Sequence, residues 1–244
     1  MSKSLLKTSY CIVEEETSDV IREIGVDEAG RGPMFGRVYT AAVILPADSE
    51  SFNHALMKDS KKFHSEAKIQ AAAAYIKEKA IAWSIAYSSE TVIDEVNIRN
   101  ATHQAMHKAI AGVIGTNVID SARALSEGGS GLAERAGIPQ EILLLIDGND
   151  FTPFIQAETK KRLQHVCIEG GDNAYSCIAA ASILAKVARD DYIKELCIAE
   201  PSLIERYDLL KNKGYGTKKH MDGIKQHGIT QWHRKTFGLC KTFA

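Results

Sequence analysis

The sequence predicts an α/β domain with a mixed central sheet flanked by helices and a helical C-terminal part. Three observations carry that prediction. Short runs rich in apolar and β-branched residues recur at 20–27, 38–45, 81–87, 141–146 and 162–168. Alanine-rich helical runs stand between or after them, so strands and helices alternate. The chain has 244 residues, 45% hydrophobic and 25% charged, which suits one domain with a small appendage. A domain of this size buries roughly three-quarters of its unfolded surface and needs no disulfide or metal to fold.

The elements follow in order. Residues 1–19 are polar and irregular and read as a loose N-terminal arm. Residues 20–27 (VIREIGVD) form a strand that runs into the glycine-rich turn Gly30-Arg31-Gly32-Pro33. Residues 38–45 (VYTAAVIL) are a second strand, 65–79 a helix, and 81–87 a third strand. A helical run begins at Ser89, and a second helix covers 98–114. Residues 116–139 break the rhythm, with EGGSG at 127–131 a loop by composition. Residues 141–146 (EILLLI) are continuously apolar, as in a strand buried on both faces. A strand at 162–168, a long helix at 172–192, helix at 196–207, a glycine loop at 213–217 and a short helix at 218–227 complete the chain. The expected organisation is an arm (1–19), an α/β domain (20–207) and a basic helical segment (208–244).

Composition narrows the function. No apolar run reaches the roughly 18 residues of a membrane span, and MSKSLLKTSY lacks a signal-peptide core, so the expected location is cytoplasmic. Five cysteines without a C-x-x-C pair argue against a disulfide framework or a zinc ribbon. Net charge is −1, yet residues 211–241 carry +7 and the remainder −8. A basic face beside an acidic body suits an anionic polymer bound near carboxylates; a solvated basic helix accounts for the charge equally well.

The acids lie at element ends. Asp27-Glu28 closes the first strand, where unpaired charge is costly, and glycines follow at 30, 32 and 36. Their spacing is not the dinucleotide G-x-G-x-x-G, and a strand rather than a helix comes next. Glycines beside a carboxylate pair fit a backbone brought hard against a ligand, or simply a tight turn with a capping acid. Asp147 ends EILLLI beside Gly148, where open sheets place ligand groups and where an Asx-turn residue also fits. Asp172 follows Gly170-Gly171 at the start of the long helix, also a natural N-cap. Taken together, separated acids at element ends make a hard-cation site: Mg²⁺ takes oxygen ligands and keeps waters for phosphates, and two such ions serve phosphodiester cleavage. His103 and His107 lack the glutamate of a zinc-protease helix, Ser60-Lys61-Lys62 lacks a matched base, and Trp83 and Trp232 form no stacking ladder.

In combination these motifs resemble one family. Ile24-Gly25-Val26-Asp27-Glu28-Ala29-Gly30-Arg31-Gly32-Pro33 resembles the opening of the type 2 ribonucleases H, specifically ribonuclease HII. Asp59-Ser60-Lys61-Lys62, Asp147-Gly148-Asn149, Gly171-Asp172, residues 180–190 (AASILAKVARD), Lys213-Gly214-Tyr215-Gly216-Thr217 and Arg234-Lys235-Thr236-Phe237-Gly238 follow in the family's order. Gly-Arg-Gly is similar to HII rather than to the Gly-Lys-Gly of HIII, and the DGN form resembles the single-chain bacterial type. The resemblance implies an RNase H-like fold. It also implies hydrolysis of RNA in RNA/DNA hybrids and incision 5′ of a ribonucleotide in duplex DNA, leaving 3′-hydroxyl and 5′-phosphate ends, with Mg²⁺ or Mn²⁺. It implies Asp27, Glu28, Asp147 and Asp172 as metal carboxylates and Gly30-Arg31-Gly32 as reader of the 2′-hydroxyl, the group that separates RNA from DNA. Tyr215 is implied to stack on the following deoxyribose, with Lys61 and Lys186 as phosphate contacts. Departures are Glu169 where a lysine is usual before Gly-Asp, a long 116–139 stretch, and the 1–19 arm; no sliding-clamp motif is evident at the C-terminus.

Overall fold

The computed structural model describes residues 6–11, 21–126 and 141–244, with backbone alone over 116–126. Among the described residues, β1 (Arg22–Ala29), β2 (Val38–Ile44), β3 (Ala82–Ser88), β4 (Ile142–Asp147) and β5 (Gln164–Ile168) make one sheet ordered β3-β2-β1-β4-β5. β1, β2 and β3 pair antiparallel, while β4 runs parallel to both β1 and β5, so the sheet is mixed. The helices are α1 (Glu66–Lys79), α2 (Glu90–Ser126), α3 (Ser176–Ala199), α4 (Ser202–Tyr207), α5 (Leu209–Asn212) and α6 (Lys218–His227). No helix among the described residues is long and apolar enough to cross a membrane.

Side-chain alternation divides the core into two layers. Ile24 and Val26 of β1, Ala42 and Ile44 of β2, and Leu144 and Ile146 of β4 pack with Met106, Ala109, Ile110 and Val113 of α2. The intervening residues face α3: Ala41 and Val43 meet Ala180, Ile183 and Leu184, and Leu143 and Leu145 meet Cys177 and Ile178. Gly25 makes this second layer thin. A Cβ there would fall 2.2 Å from the carbonyl carbon of Cys177, so only glycine lets the first turn of α3 rest on β1.

Several boundaries differ from the sequence reading. The two helices expected on either side of residue 98 are present within α2: they meet at Asn97 (φ 68°), where the backbone is not helical and whose side chain caps the second by accepting the Asn100 N–H at 3.1 Å. Helix continues through Ser126, so the first part of 116–139 is not a loop; EGGSG lies outside the described residues. Asp172 does not open the long helix but sits in a 3₁₀ turn, Gly171–Asn173, with α3 starting at Ser176. The helix expected over 196–207 is two, because α3 ends at Ala199 and Pro201 has no N–H to continue it. Within the N-terminal arm, residues 6–11 are docked rather than loose. Lys7 bridges to Tyr175, and Glu23 accepts the N–H groups of Tyr10 and Cys11.

Candidate active site

The carboxylates come together through register. Val26 pairs with Ile146 across the parallel β1/β4 ladder, so the next residues, Asp27 and Asp147, end neighbouring strands side by side. Alternation points both toward α3. There a hydrogen bond from Ser182 reaches the Asp27 carboxylate, and the Ser60 and Ser182 hydroxyls lie 3.0 Å apart. Asp172 arrives from the turn ahead of α3, with its N–H 3.4 Å from Asp147 Oδ1. Asn173 joins it to a fifth acid: its side-chain amide donates to Asp172 at 2.9 Å and to Asp59 at 3.3 Å. Glu28 donates its N–H to Asp27 Oδ1 at 2.6 Å and holds its carboxylate 3.4 Å from the Arg31 guanidinium.

Burial and mutual repulsion govern the electrostatics. Asp27 is pushed well above its ordinary value by burial, then by Glu28 and Asp147. Glu28 is raised mainly by burial, with Asp147 adding and Arg31 opposing. Asp172 is raised by burial, Asp147 and Asp59. Burial alone would lower the Lys61 ammonium, but Asp172, Asp59, Asp27 and Asp147 hold it above its ordinary value. Lys61 therefore belongs to the acidic edge. Lys186, one turn along α3 from Ser182, pairs its ammonium with Asp190 at 2.5 Å. Among the described residues no three acids, histidines or cysteines form a ready-made cage for an ion. The donor set is instead a row of hard oxygens along one edge, which suits hydrated divalent ions that share their shells with a substrate.

The second half of the site is the glycine loop, and the residues that shape it were missed in the sequence. Arg234, fully buried, donates to the carbonyls of Gly30 (2.6 Å), Arg31 (3.0 Å), Pro33 (2.8 Å) and Gly36 (2.8 Å). Burial, with Arg189 nearby, lowers this guanidinium to about 9, so it stays charged at neutral pH. A trans peptide points its N–H opposite to its C=O. With the Gly30 and Arg31 carbonyls turned inward, the N–H groups of Arg31 and Gly32 face outward. Gly30 (φ +94°) would set a Cβ 2.2 Å from Arg189 Nε, so its smallness serves packing beneath the loop. A Cβ on Gly32 would instead stand 3.6 Å from Tyr215 Cε1.

Tyr215 is thus brought beside the glycine loop by long-range contacts. Met34 N–H donates to the Gly214 carbonyl at 2.9 Å, and Arg189 donates to the Lys213 carbonyl at 2.7 Å. The only sequence signal for Arg189 and Arg234 was their place inside family-like motifs; no local pattern announces a buried arginine. His103 and His107 bind no common centre. They hold Thr152, through its hydroxyl (2.9 Å) and carbonyl (2.8 Å) respectively, in the segment after β4. The described cysteines are free, and burial pushes the Cys177 thiol up to about 12, which leaves it inert.

Comparison with known proteins gives the family and the fold. The family model described as Ribonuclease HII matches residues 24–125 and 124–240. The chain is 42% identical over 217 residues to a ribonuclease HII of Parabacteroides distasonis, covering 89% of this chain and 90% of that one. It is 41% identical over 220 residues to that of Phocaeicola vulgatus, at 90% of each. Among solved structures, the ribonuclease H2 of Pyrococcus horikoshii OT3 superposes with a TM-score of 0.57 at 21% identity, covering 91% of this chain and 96% of that one. The ribonuclease HII of Archaeoglobus fulgidus, solved as a complex with PCNA, gives 0.59 at 22%, covering 89% and 96%. Bst-RNase HIII, solved with Mn²⁺, gives 0.56 at 20%, covering 91% of this chain and 69% of that one. These three share the RNase H-like fold with the present chain. The chain belongs to the ribonuclease HII family: it is a metal-dependent ribonuclease H, a nuclease acting on RNA in RNA/DNA hybrids.

Proposed function

We propose that this ribonuclease H is also an endonuclease that incises duplex DNA on the 5′ side of an embedded ribonucleotide, leaving 3′-hydroxyl and 5′-phosphate ends, and so removes misincorporated ribonucleotides. The observation that carries this reading is the outward pair of N–H groups on Arg31 and Gly32. The loop that carries them has the Arg31 side chain paired with Glu28 and the half-exposed Tyr215 ring against Gly32. Backbone donors at a glycine approach a ribose closely and favour its 2′-hydroxyl. An aromatic ring on the adjoining sugar favours one without that hydroxyl. The junction between RNA and DNA is the substrate that satisfies both.

Asp27, Glu28, Asp147 and Asp172 would hold divalent ions, Mg²⁺ or Mn²⁺. The fit rests on their chemistry: oxygen donors only, buried and crowded, with a mutual repulsion that Arg31 and Lys61 offset only in part. Such ions, when bound, supply activation of a water and stabilisation of the departing 3′ oxygen. The chain's own residues do the positioning. The Glu28 N–H and the Ser182 hydroxyl fix the Asp27 carboxylate. Asn173 fixes Asp172. Lys61, charged at all working pH, offers the scissile phosphate a cation beside these acids.

The test is a duplex holding one ribonucleotide, incubated with and without Mg²⁺. A single Mg²⁺-dependent cut 5′ of the ribonucleotide is expected. Asp147→Asn should fold normally and lose the cut at saturating Mg²⁺. Tyr215→Ala should reduce junction cleavage by orders of magnitude while stability changes by less than about 2 kcal/mol. Hybrid cleavage without incision at the single ribonucleotide would leave only a general hybrid nuclease.

A further inference from the structure

We infer that two buried histidines, His233 and His220, form a neutral relay that aims Tyr215 and thereby sets junction preference. This role presupposes that Tyr215 senses the junction. His220 lies in the first turn of α6 and is fully buried; His233 is 1% exposed. Their Nε2 atoms are 3.1 Å apart. Two ring nitrogens at that distance bind only if one carries a proton and the other a lone pair.

The outer ends decide which is which. The Thr230 backbone N–H meets His233 Nδ1 at 2.9 Å. A backbone N–H can only donate, so His233 Nδ1 is the acceptor and its proton sits on Nε2. At the far end, His220 Nδ1 is 3.0 Å from the Tyr215 carbonyl oxygen. A carbonyl can only accept, so the His220 proton sits on Nδ1 and its Nε2 is free to accept from His233. Both ends demand the same polarity: Thr230 to His233, His233 to His220, His220 to Tyr215. The chain closes only while both rings are neutral, since an added proton would set N–H against N–H. Burial favours that state, lowering His220 and, together with His220 itself, taking His233 to about 3.

The Tyr215 carbonyl also accepts the Thr217 N–H at 2.8 Å, and the Tyr215 N–H donates to Asn212 at 3.0 Å. With the peptide planes before and after it held, the Cα–Cβ direction of Tyr215 is fixed. The ring, 52% exposed, has the Arg189 guanidinium 6.0 Å from its centroid, and glycines flank it at 214 and 216. Its aim toward Gly32 therefore depends on the backbone as well as on this cation, and the relay is the buried end of the backbone hold. His233 also packs edge-on against Phe35 (ring centroids 4.9 Å apart) and precedes Arg234. One short stretch thus steadies the glycine loop and the tyrosine loop together.

The experiment compares His220→Asn with His220→Leu. The asparagine amide nitrogen sits where Nδ1 was and still donates to Tyr215; leucine fills the space without a donor. The readout is the ratio of cleavage rates on a single-ribonucleotide duplex and on an all-RNA/DNA hybrid, with Tyr215→Ala as reference and melting curves for each variant. His220→Leu should lower the ratio about tenfold or more, the scale of a small misplacement of a substrate-facing group, while His220→Asn stays within about threefold of wild type. If Tyr215→Ala shifts the ratio but the two His220 variants behave alike, the relay is overturned and the sensor role of Tyr215 stands. If Tyr215→Ala leaves the ratio unchanged, the sensor role falls and the relay's part in specificity falls with it. Should His220→Leu fail to fold, ¹⁵N shifts of the wild-type rings decide: protons on His220 Nδ1 and His233 Nε2 support the relay, and the opposite tautomers overturn it.

Discussion

The Asp27 carboxyl is 4% exposed and faces Glu28 and Asp147, so ionising it is harder in the folded chain than in the unfolded one. The consequence for stability has a definite sign. Below about pH 4 an unfolded aspartate is itself protonated, and the raised folded value costs nothing. As pH rises from there through the raised value, the folded state loses stability relative to the unfolded. Asp27→Asn removes that charge and keeps an oxygen to accept the Glu28 N–H. In chelator, the variant should melt higher than wild type at pH 8, with the gain shrinking to nothing near pH 4. Saturating Mg²⁺ should reverse the order at pH 8, since the ions bind the wild-type folded state. Equal melting temperatures across this pH range would show that the acids do not repel as the geometry requires. Asp27, Glu28 and Asp147 were legible in the sequence because charge at the end of a buried strand is anomalous by itself; Asp172 was legible only beside them. Arg234 was not, since its carbonyl partners stand about 200 residues earlier. Nor was the His220–His233 pair, since each histidine alone reads as an ordinary polar residue.

At the level of elements, the strands were readable to within one or two residues, because β-branched apolar runs end abruptly at glycines and charges. The start of α3 was not. Asp172 looks like an N-cap, but Gly171–Asn173 closes its own 3₁₀ turn first, and that detour carries Asp172 back toward Asp147. Gly171 permits the approach: a Cβ there would stand 2.6 Å from Ile178 Cδ1 and 3.3 Å from Asp147 Oδ1. Gly25 does the same for the whole helix. Its partner atoms are backbone, Cys177 C at 2.2 Å and Ile178 N at 2.5 Å, and neither can rotate away. Gly25→Ala should therefore push α3 off β1, at a cost of about 3 kcal/mol or more, the upper range for overpacking. Urea denaturation measures it. A loss under about 1 kcal/mol, ordinary for a tolerated substitution, would mean that the helix slides without harm. Because Asp172 and Ser182 ride on this helix and its leading turn, residual activity should fall further than the folded fraction does.

For the molecule as a whole, the charge asymmetry survives folding in reduced form. Arg234 is turned inward and Lys213 is half-buried, so the outward charge of residues 211–241 comes from Lys211, Lys218, Lys219, Lys225, Lys235 and Lys241. Two of these occupy the first turn of α6, which holds no acid. Cations there oppose the helix dipole and cost roughly 0.3–1 kcal/mol each at an exposed site. Lys219 recovers part of this from Asp208 at 3.2 Å. Folding thus gains little from the pair, whereas a polyanion crossing the Tyr215 loop would meet both ammonium groups and the positive helix end together. Lys218→Ala/Lys219→Ala should melt within about 0.5 kcal/mol of wild type or slightly higher. It should bind all duplexes more weakly, with and without a ribonucleotide, and the slope of log K against log salt should flatten by about one unit for each phosphate no longer neutralised. Lys79→Ala, at the far end of α1 beside Glu78, is the control and should leave the slope unchanged. The junction-to-hybrid ratio should not move in the double variant, because phosphate contacts hold every duplex alike. An unchanged slope would instead place the duplex off α6 and leave its lysines as solvated surface.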